Sequence, residues 1–182
     1  LKMANNFQYY APTKVYFGRG EERNTGRYVR EYGAKNVMLV YGGNSARRSG
    51  LLALIKQSLQ GEGIAFSEIG GVVPNPHLDK VYEGIRLGRK HGTDFLLAVG
   101  GGSAIDTAKA IAYGLAEPER DVWELYEHTR TARKCLPAAS VLTIAAAGSE
   151  TSKGSAICAG KLPAAVCPLR QKRDGRLRGR NG

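Results

Sequence analysis

DFLLAVGGGSAIDTAKAIAYG, Asp94 to Gly114, is the stretch whose reading decides the fold of this chain. Its first third is a continuous apolar run of strand length, and its last half places apolar residues at helical spacing. Between the two stand Gly100, Gly101 and Gly102. A strand that is apolar throughout is covered on both faces, and a strand leading directly into a helix is the unit of a parallel sheet. The glycines then fall at the carboxyl end of the strand. There the ligand crevice of such sheets opens, and the next helix directs its unpaired N–H groups and positive dipole end into it. Without Cβ atoms, glycines let the backbone approach an anion closely, and Ser103 adds a hydroxyl beside the first helical amides. These parts suit a pyrophosphate. The alternative is a plain cap, because Ser103-Ala104-Ile105-Asp106 fits the capping-box pattern. A cap needs at most one glycine.

The same alternation extends outward on both sides. Asn36 to Tyr41 (NVMLVY) reads as a buried strand ended by Gly42 and Gly43, and Ser49 to Leu59 as a helix with Leu51, Leu52, Ile55 and Leu59 on one face. Ile64 to Ile69 reads as a strand, GGVVPNP as a loop, and His77 to His91 as a helix carrying Val81, Ile85 and Leu87. The flanks of Trp123 suggest a short helix, and Val141 to Ile144 (VLTI) one more buried strand. Near the start, APTKVYFGRG reads as a strand or hairpin. The expected fold is therefore α/β, a Rossmann-like parallel sheet with helices on both faces.

A second glycine turn, Gly42-Gly43-Asn44-Ser45, follows the first of these strands. Dinucleotide sites hold the ribose of NAD with an acidic side chain, whereas NADP asks for neutral donors or a cation. No Asp or Glu occurs between Glu31 and Glu62, and Arg47 and Arg48 stand close by, so NADP is expected ahead of NAD. A plain strand-to-helix turn with solvated arginines is an equal alternative for this stretch alone.

Composition narrows the function classes. The 182-residue chain carries a net charge of +11, which invites a nucleic-acid reading. Residues 158–182, however, hold seven Lys/Arg against Asp174 alone, leaving 20 basic and 15 acidic residues in the body. A mixed solvated surface fits that body better than a phosphate-tracking patch. Residues 3–157 are taken as the dinucleotide-binding α/β domain, and 158–182 as a basic Gly/Arg-rich tail expected to be disordered or read out of frame. Cys135, Cys158 and Cys167 show no CxxC spacing, so neither a disulfide framework nor a zinc site is indicated. With no apolar run of membrane length and no secretion-signal pattern in LKMANNFQYY, a cytoplasmic location is expected. His77, His91 and His128 have no HxxxH or HExxH spacing, and Ser149 lacks a GxSxG elbow, so no catalytic residue and no metal ligand is assigned.

Taken in order, YAPTKVYFGRG, YGGNS, GGVVPNP, AVGGGSAIDTAKAIA and TIAAAGSE (Thr143 to Glu150) resemble the iron-containing (group III) alcohol dehydrogenase family, over roughly Met3 to Ile157. The YGGNS and PNP variants look most like its NADPH-dependent butanol dehydrogenase or aldehyde reductase branch. The resemblance implies a dehydroquinate synthase-like N-terminal domain, with the metal-binding helical C-terminal domain missing. It implies that Gly100, Gly101, Gly102, Ser103 and Asp106 hold the pyrophosphate and that Asn75 lies near the cofactor. Thr143 would lie beside the nicotinamide half, and Gly42, Gly43, Asn44 and Ser45 would face the adenosine ribose and its phosphate. Two departures are Asn44, where a glycine is common, and Ala147, where a Thr precedes GSE. A divalent metal, iron or zinc, is expected in the full-length family, but its Asp and three His ligands are absent from this sequence.

The resulting expectation is an NADP-dependent oxidoreductase interconverting primary alcohols and aldehydes by hydride transfer, with this chain as the cofactor-binding half and inactive alone. The alternatives are a fragment of a glycerol dehydrogenase or dehydroquinate synthase-like enzyme, or a non-catalytic nucleotide or polyanion binding module. The expected partner is a small-molecule alcohol or aldehyde, with no specific nucleic acid and no membrane. Homo-oligomer formation is left open.

Overall fold

The computed structural model describes residues 13–43, 45–145, 148–152, 154–159 and 162–166. Four parallel strands, β1 (Asn36–Tyr41), β2 (Ala65–Ile69), β3 (Phe95–Gly100) and β4 (Ala138–Leu142), form one sheet in the order β2-β1-β3-β4. Around it lie α1 (Thr25–Glu31), α2 (Ser45–Arg48), α3 (Leu51–Gly61), α4 (Leu78–His91), α5 (Gly102–Ala116) and α6 (Trp123–Tyr126). An antiparallel hairpin, β5 (Ser155–Ala159) with β6 (Leu162–Val166), closes the order. No helix among the described residues is long and apolar enough to cross a membrane.

The apolar strands sort their side chains by parity. Val37, Leu39 and Tyr41 of β1, with Phe95, Leu97 and Val99 of β3, pack against Val29 of α1 and Leu52, Ile55 and Leu59 of α3. The alternate residues Met38, Val40, Leu96 and Ala98 pack against Val81 and Ile85 of α4 and the buried face of α5. Both faces are covered, so the strands need no polar side, and each large apolar side chain so buried contributes about 1.5–3 kcal/mol. Small residues allow the helices to approach. A Cβ on Gly26 of α1 would lie 2.2 Å from the Ser58 carbonyl oxygen of α3. The Gly26 amide instead donates to Ser58 Oγ at 2.9 Å.

Several expectations change. Residues 13–17 form no strand; Tyr16 stacks on Tyr28 of α1 at 3.5 Å between ring centroids, and Lys14 pairs with Glu31 at 3.1 Å. Aromatic stacking on a helix takes the place of strand pairing there. The fourth strand begins earlier than VLTI, because the register with β3 pairs Leu96 with Ala138 and Gly100 with Leu142. It is only partly buried, as its burial pattern of exposed and intermediate residues shows, because it is not sandwiched as β1 and β3 are. The domain boundary expected at Ile157 falls inside β5, and β6 continues to Val166. Residues 167–182, with Asn44 and Ala147, lie outside the described residues.

Candidate functional site

From β1 the chain crosses to β2 on one side, whereas β3 pairs with β1 on the other. The connections therefore diverge between the carboxyl ends of β1 and β3. An open parallel sheet forms its ligand crevice at such a switch point. Gly42 and Gly43 leave β1 there, Gly100 to Gly102 leave β3, and Thr143 follows β4 beside them. Asn75 stands in the loop after β2.

The three glycines meet different demands. Gly100 has φ +151°, and a Cβ on it would lie 3.2 Å from the Ala104 Cβ, so a side chain there would strain the backbone and crowd Ala104. At Gly101 a Cβ would meet nothing within 4 Å, which leaves open space directly above the backbone. A Cβ on Gly102 would stand 3.4 Å from Ser149 Oγ. Gly101 is the N-cap of the 15-residue α5 and no side chain caps it, so Ser103 lies inside the helix and the capping-box alternative is not the conformation adopted. The amides of Gly102 and Ser103 precede the first intrahelical acceptor, and the dipole of α5 adds partial positive charge at the same point. Open space, two amides without a helical acceptor and a positive helix end are features an anionic group can use.

Thr143 is tied to this junction by its amide, which donates to the Gly100 carbonyl at 3.1 Å, and its side chain is exposed. Asp106 sits one turn farther along α5, and its carboxyl lies beside the segment after β4, near the Ala156 N–H and the Ser149 hydroxyl. Burial pushes the Asp106 pKa up, against the pull of those donors and of Lys109, and Oδ1 has no hydrogen-bond partner among the described residues. Ser155 Oγ bridges the Asp106 carbonyl at 2.9 Å and the Tyr126 hydroxyl at 2.8 Å. Lys109, not singled out by the sequence reading, donates from Nζ to the carbonyls of Ser149 at 2.6 Å, Ser152 at 2.7 Å and Gly154 at 2.8 Å. Its signal was available: a lone charge among the buried residues Thr107 to Tyr113 requires partners.

At the β1 end, Gly42 approaches the next loop so closely that a Cβ would lie 3.3 Å from the Val72 carbonyl oxygen, while Gly43 faces open space. Ser45 begins α2. Arg47 donates to the Tyr41 hydroxyl at 2.8 Å with its guanidinium 5.3 Å from the ring centroid. The same hydroxyl donates to Glu68 Oε2 at 3.1 Å, and Lys56 pairs with Glu68 Oε1 at 2.7 Å. Parallel pairing of β1 with β2 thus brings in an acidic group that the stretch from Glu31 to Glu62 does not contain. Its charge is matched by Lys56. Asn75 is exposed and holds φ +57°, a left-handed turn position that Asn tolerates.

The histidines are dispersed: His77 caps α4, His91 ends it, and His128 has φ +56°. Among the described residues no group of three or more His, Cys, Asp or Glu side chains comes together to hold a metal. The residues described therefore do not fit a metal centre. Burial pushes the Cys135 thiol up to about 12, so it is not a nucleophile at neutral pH. A cleft of about 430 Å³ opens between the Gly71–Val73 loop and α4, beside His77, Lys80, Glu83 and Arg86, but the Gly100–Gly102 junction does not line it.

Residues 12–165 match the family described as Iron-containing alcohol dehydrogenase. The chain is 48% identical over 152 residues to the "Probable NADH-dependent butanol dehydrogenase 2" of Bacillus subtilis (strain 168), covering 84% of this chain and 38% of that relative. It is 34% identical over 155 residues to the NADPH-dependent aldehyde reductase YqhD of Escherichia coli (strain K12), covering 84% and 39%. Among solved structures, NADH-dependent butanol dehydrogenase A of Thermotoga maritima superposes with a TM-score of 0.85 at 37% identity, over 88% of this chain and 41% of that one. The chain thus spans less than half the length of the curated relatives it matches.

Proposed function

Because the chain belongs to the iron-containing alcohol dehydrogenase family, we propose that it forms the nucleotide-binding part of an oxidoreductase that interconverts primary alcohols and aldehydes, with NADP as its cofactor. The observation that carries this reading is the Gly100–Ser103 junction, where open space above Gly101 meets the N-terminal amides of α5. Gly101, Gly102 and Ser103 would hold the pyrophosphate through main-chain N–H groups. Gly42, Gly43, Asn44 and Ser45 would take the adenosine ribose and its phosphate, while Asn75 and Thr143 border the crevice and Asp106 supports it from the second turn of α5. A nicotinamide dinucleotide supplies the hydride acceptor and donor when bound.

The preference for NADP rests on the charge balance at the β1 end. Arg47 and Arg48 are exposed beside the glycine turn, and Glu68 is occupied by Lys56 and the Tyr41 hydroxyl. The relatives include both NADH- and NADPH-dependent enzymes by name, so the discriminating experiment is a paired titration. Ligand at 100 times its Kd stabilises a folded protein by about 2.7 kcal/mol. NADPH is expected to raise the melting temperature at lower concentration than NADH. Equal response to both removes the 2′-phosphate preference, and no response to either removes the site. The 182-residue chain alone is expected to bind nucleotide without oxidising alcohols, since no group of His, Cys, Asp or Glu side chains that could hold a metal comes together among the described residues.

A further inference from the structure

Lys109 occupies the middle of α5, where its helix neighbours Ala108 and Ala110 are fully buried, yet its ammonium is not paired with a carboxylate in any salt bridge among the described residues. Its three hydrogens are matched by three main-chain carbonyls drawn from one short segment, those of Ser149, Ser152 and Gly154, with Ser152 Oγ at 3.4 Å as a fourth contact. A neutral amine has only two N–H donors and would leave one of these carbonyls unmatched. The segment is a tight turn about Gly148, whose carbonyl accepts from the amides of Thr151 and Ser152, each at 3.1 Å, and whose φ is +70°. It folds back so that Ser149 Oγ lies against Gly102.

Asp106, one turn earlier on the same helix, grips the same segment through opposite groups. Its carbonyl accepts from Ser155 Oγ at 2.9 Å and its carboxyl lies beside the Ser149 hydroxyl and the Ala156 amide, whereas Lys109 donates to the carbonyls. Contacts from successive turns of α5 thus hold Ser149, Ser152, Gly154 and Ser155 to one side of the helix. That segment stands beside the glycine junction, with Ser149 Oγ 3.4 Å from where a Cβ on Gly102 would lie.

We propose that Lys109 is a positioning residue of the nucleotide site: by gathering the carbonyls of Ser149, Ser152 and Gly154 it holds the Gly148–Gly154 turn against the glycine junction and so shapes the cavity that receives the dinucleotide. The inference rests on the nucleotide site proposed above. Lys109 acts through the turn and not on the ligand, because all three of its donors are engaged.

The test uses the full 182-residue chain with NADPH as probe. Lys109→Met keeps the length of the stem and removes the donors. It is expected to weaken NADPH binding about tenfold, the loss of one charge-assisted hydrogen bond's worth of order in the turn. Hydrogen exchange should quicken across 148–154 while the amides of β1 and β3 keep their protection, which also verifies the fold. In Lys109→Ala, n-propylammonium, which replaces the missing stem and donors, should restore NADPH affinity, whereas tetramethylammonium, with no N–H, should not. Unchanged NADPH affinity in Lys109→Met, or equal effects of the two ammonium ions, overturns the inference. Failure of the unaltered chain to bind NADPH overturns the site itself, a separate and recognisable result.

Discussion

The amide of Thr143 donates to the carbonyl of Gly100 at 3.1 Å, which fastens the end of β4 to the glycine junction at the end of β3. Two strand ends are thereby fixed at the mouth of one crevice. Gly100 accepts this bond while holding φ +151°, a backbone conformation that L side chains rarely adopt.

Substituting Gly100→Ala is expected to destabilise the protein by about 1–3 kcal/mol, the cost of a side chain in a backbone region L residues rarely adopt. The contact with Ala104 Cβ at 3.2 Å adds to it. For a protein of this size the melting temperature should fall by about 2–4 °C per kcal/mol, measurable without any ligand. A melting temperature equal to that of the unaltered chain would show that the strand end can relax.

Replacing Arg47→Gln is expected to lower the affinity for NADPH by about fivefold to tenfold and to leave NADH nearly unchanged, because a cation is removed from beside the turn where the 2′-phosphate is proposed to sit. The change should shrink as salt is raised, since Arg47 is exposed. Parallel losses for both nucleotides would instead assign Arg47 to holding Tyr41, whose hydroxyl it contacts at 2.8 Å.

Acid stability is expected to depend on Glu117. Burial pushes its carboxyl up, but the amides of Arg133 and Lys134 and the Arg130 guanidinium outweigh that and hold its pKa below the ordinary carboxylate value. A depressed folded-state pKa gives stability that is complete above the unfolded value of about 4.3 and is lost as pH falls through the folded one. Glu117→Gln should therefore cost about 1–3 kcal/mol at pH 7: its amide oxygen can still accept from the Arg133 and Lys134 N–H groups, but its NH2 meets the Arg130 guanidinium that Oε2 now pairs with. It should also flatten the decline below pH 4.5. Denaturant melts at several pH values measure both.

Sequence legibility followed burial. NVMLVY and FLLAVG could be read as strands because both faces are covered, and the glycine run could be read as a junction because β3 feeds straight into α5. AASVL of β4 carries mostly small and polar residues on a partly exposed strand, so apolar continuity located it too late in the chain. TGRYVRE of α1 has no apolar period, since its contact with α3 runs through Gly26 and Ser58. Glu68 and the turn held by Lys109 are non-local: Glu68 reaches Tyr41 across 27 residues and Lys109 reaches Ser149 across 40, distances over which spacing carries no signal. Only the pairing of β1 with β2 and the return of the chain after β4 bring these groups together.

The most direct measurement is an NADPH thermal-shift titration of the unaltered chain beside Gly101→Leu. Gly101 has φ −99° and open space at its Cβ, so leucine fits the backbone and projects into the volume that the phosphates would fill. The account predicts that the variant melts within about 1 °C of the unaltered chain without ligand, within the range expected of a substitution that meets no neighbour. It also predicts that the variant loses the rise NADPH produces. An undiminished NADPH response in Gly101→Leu would contradict the pyrophosphate site at the glycine junction.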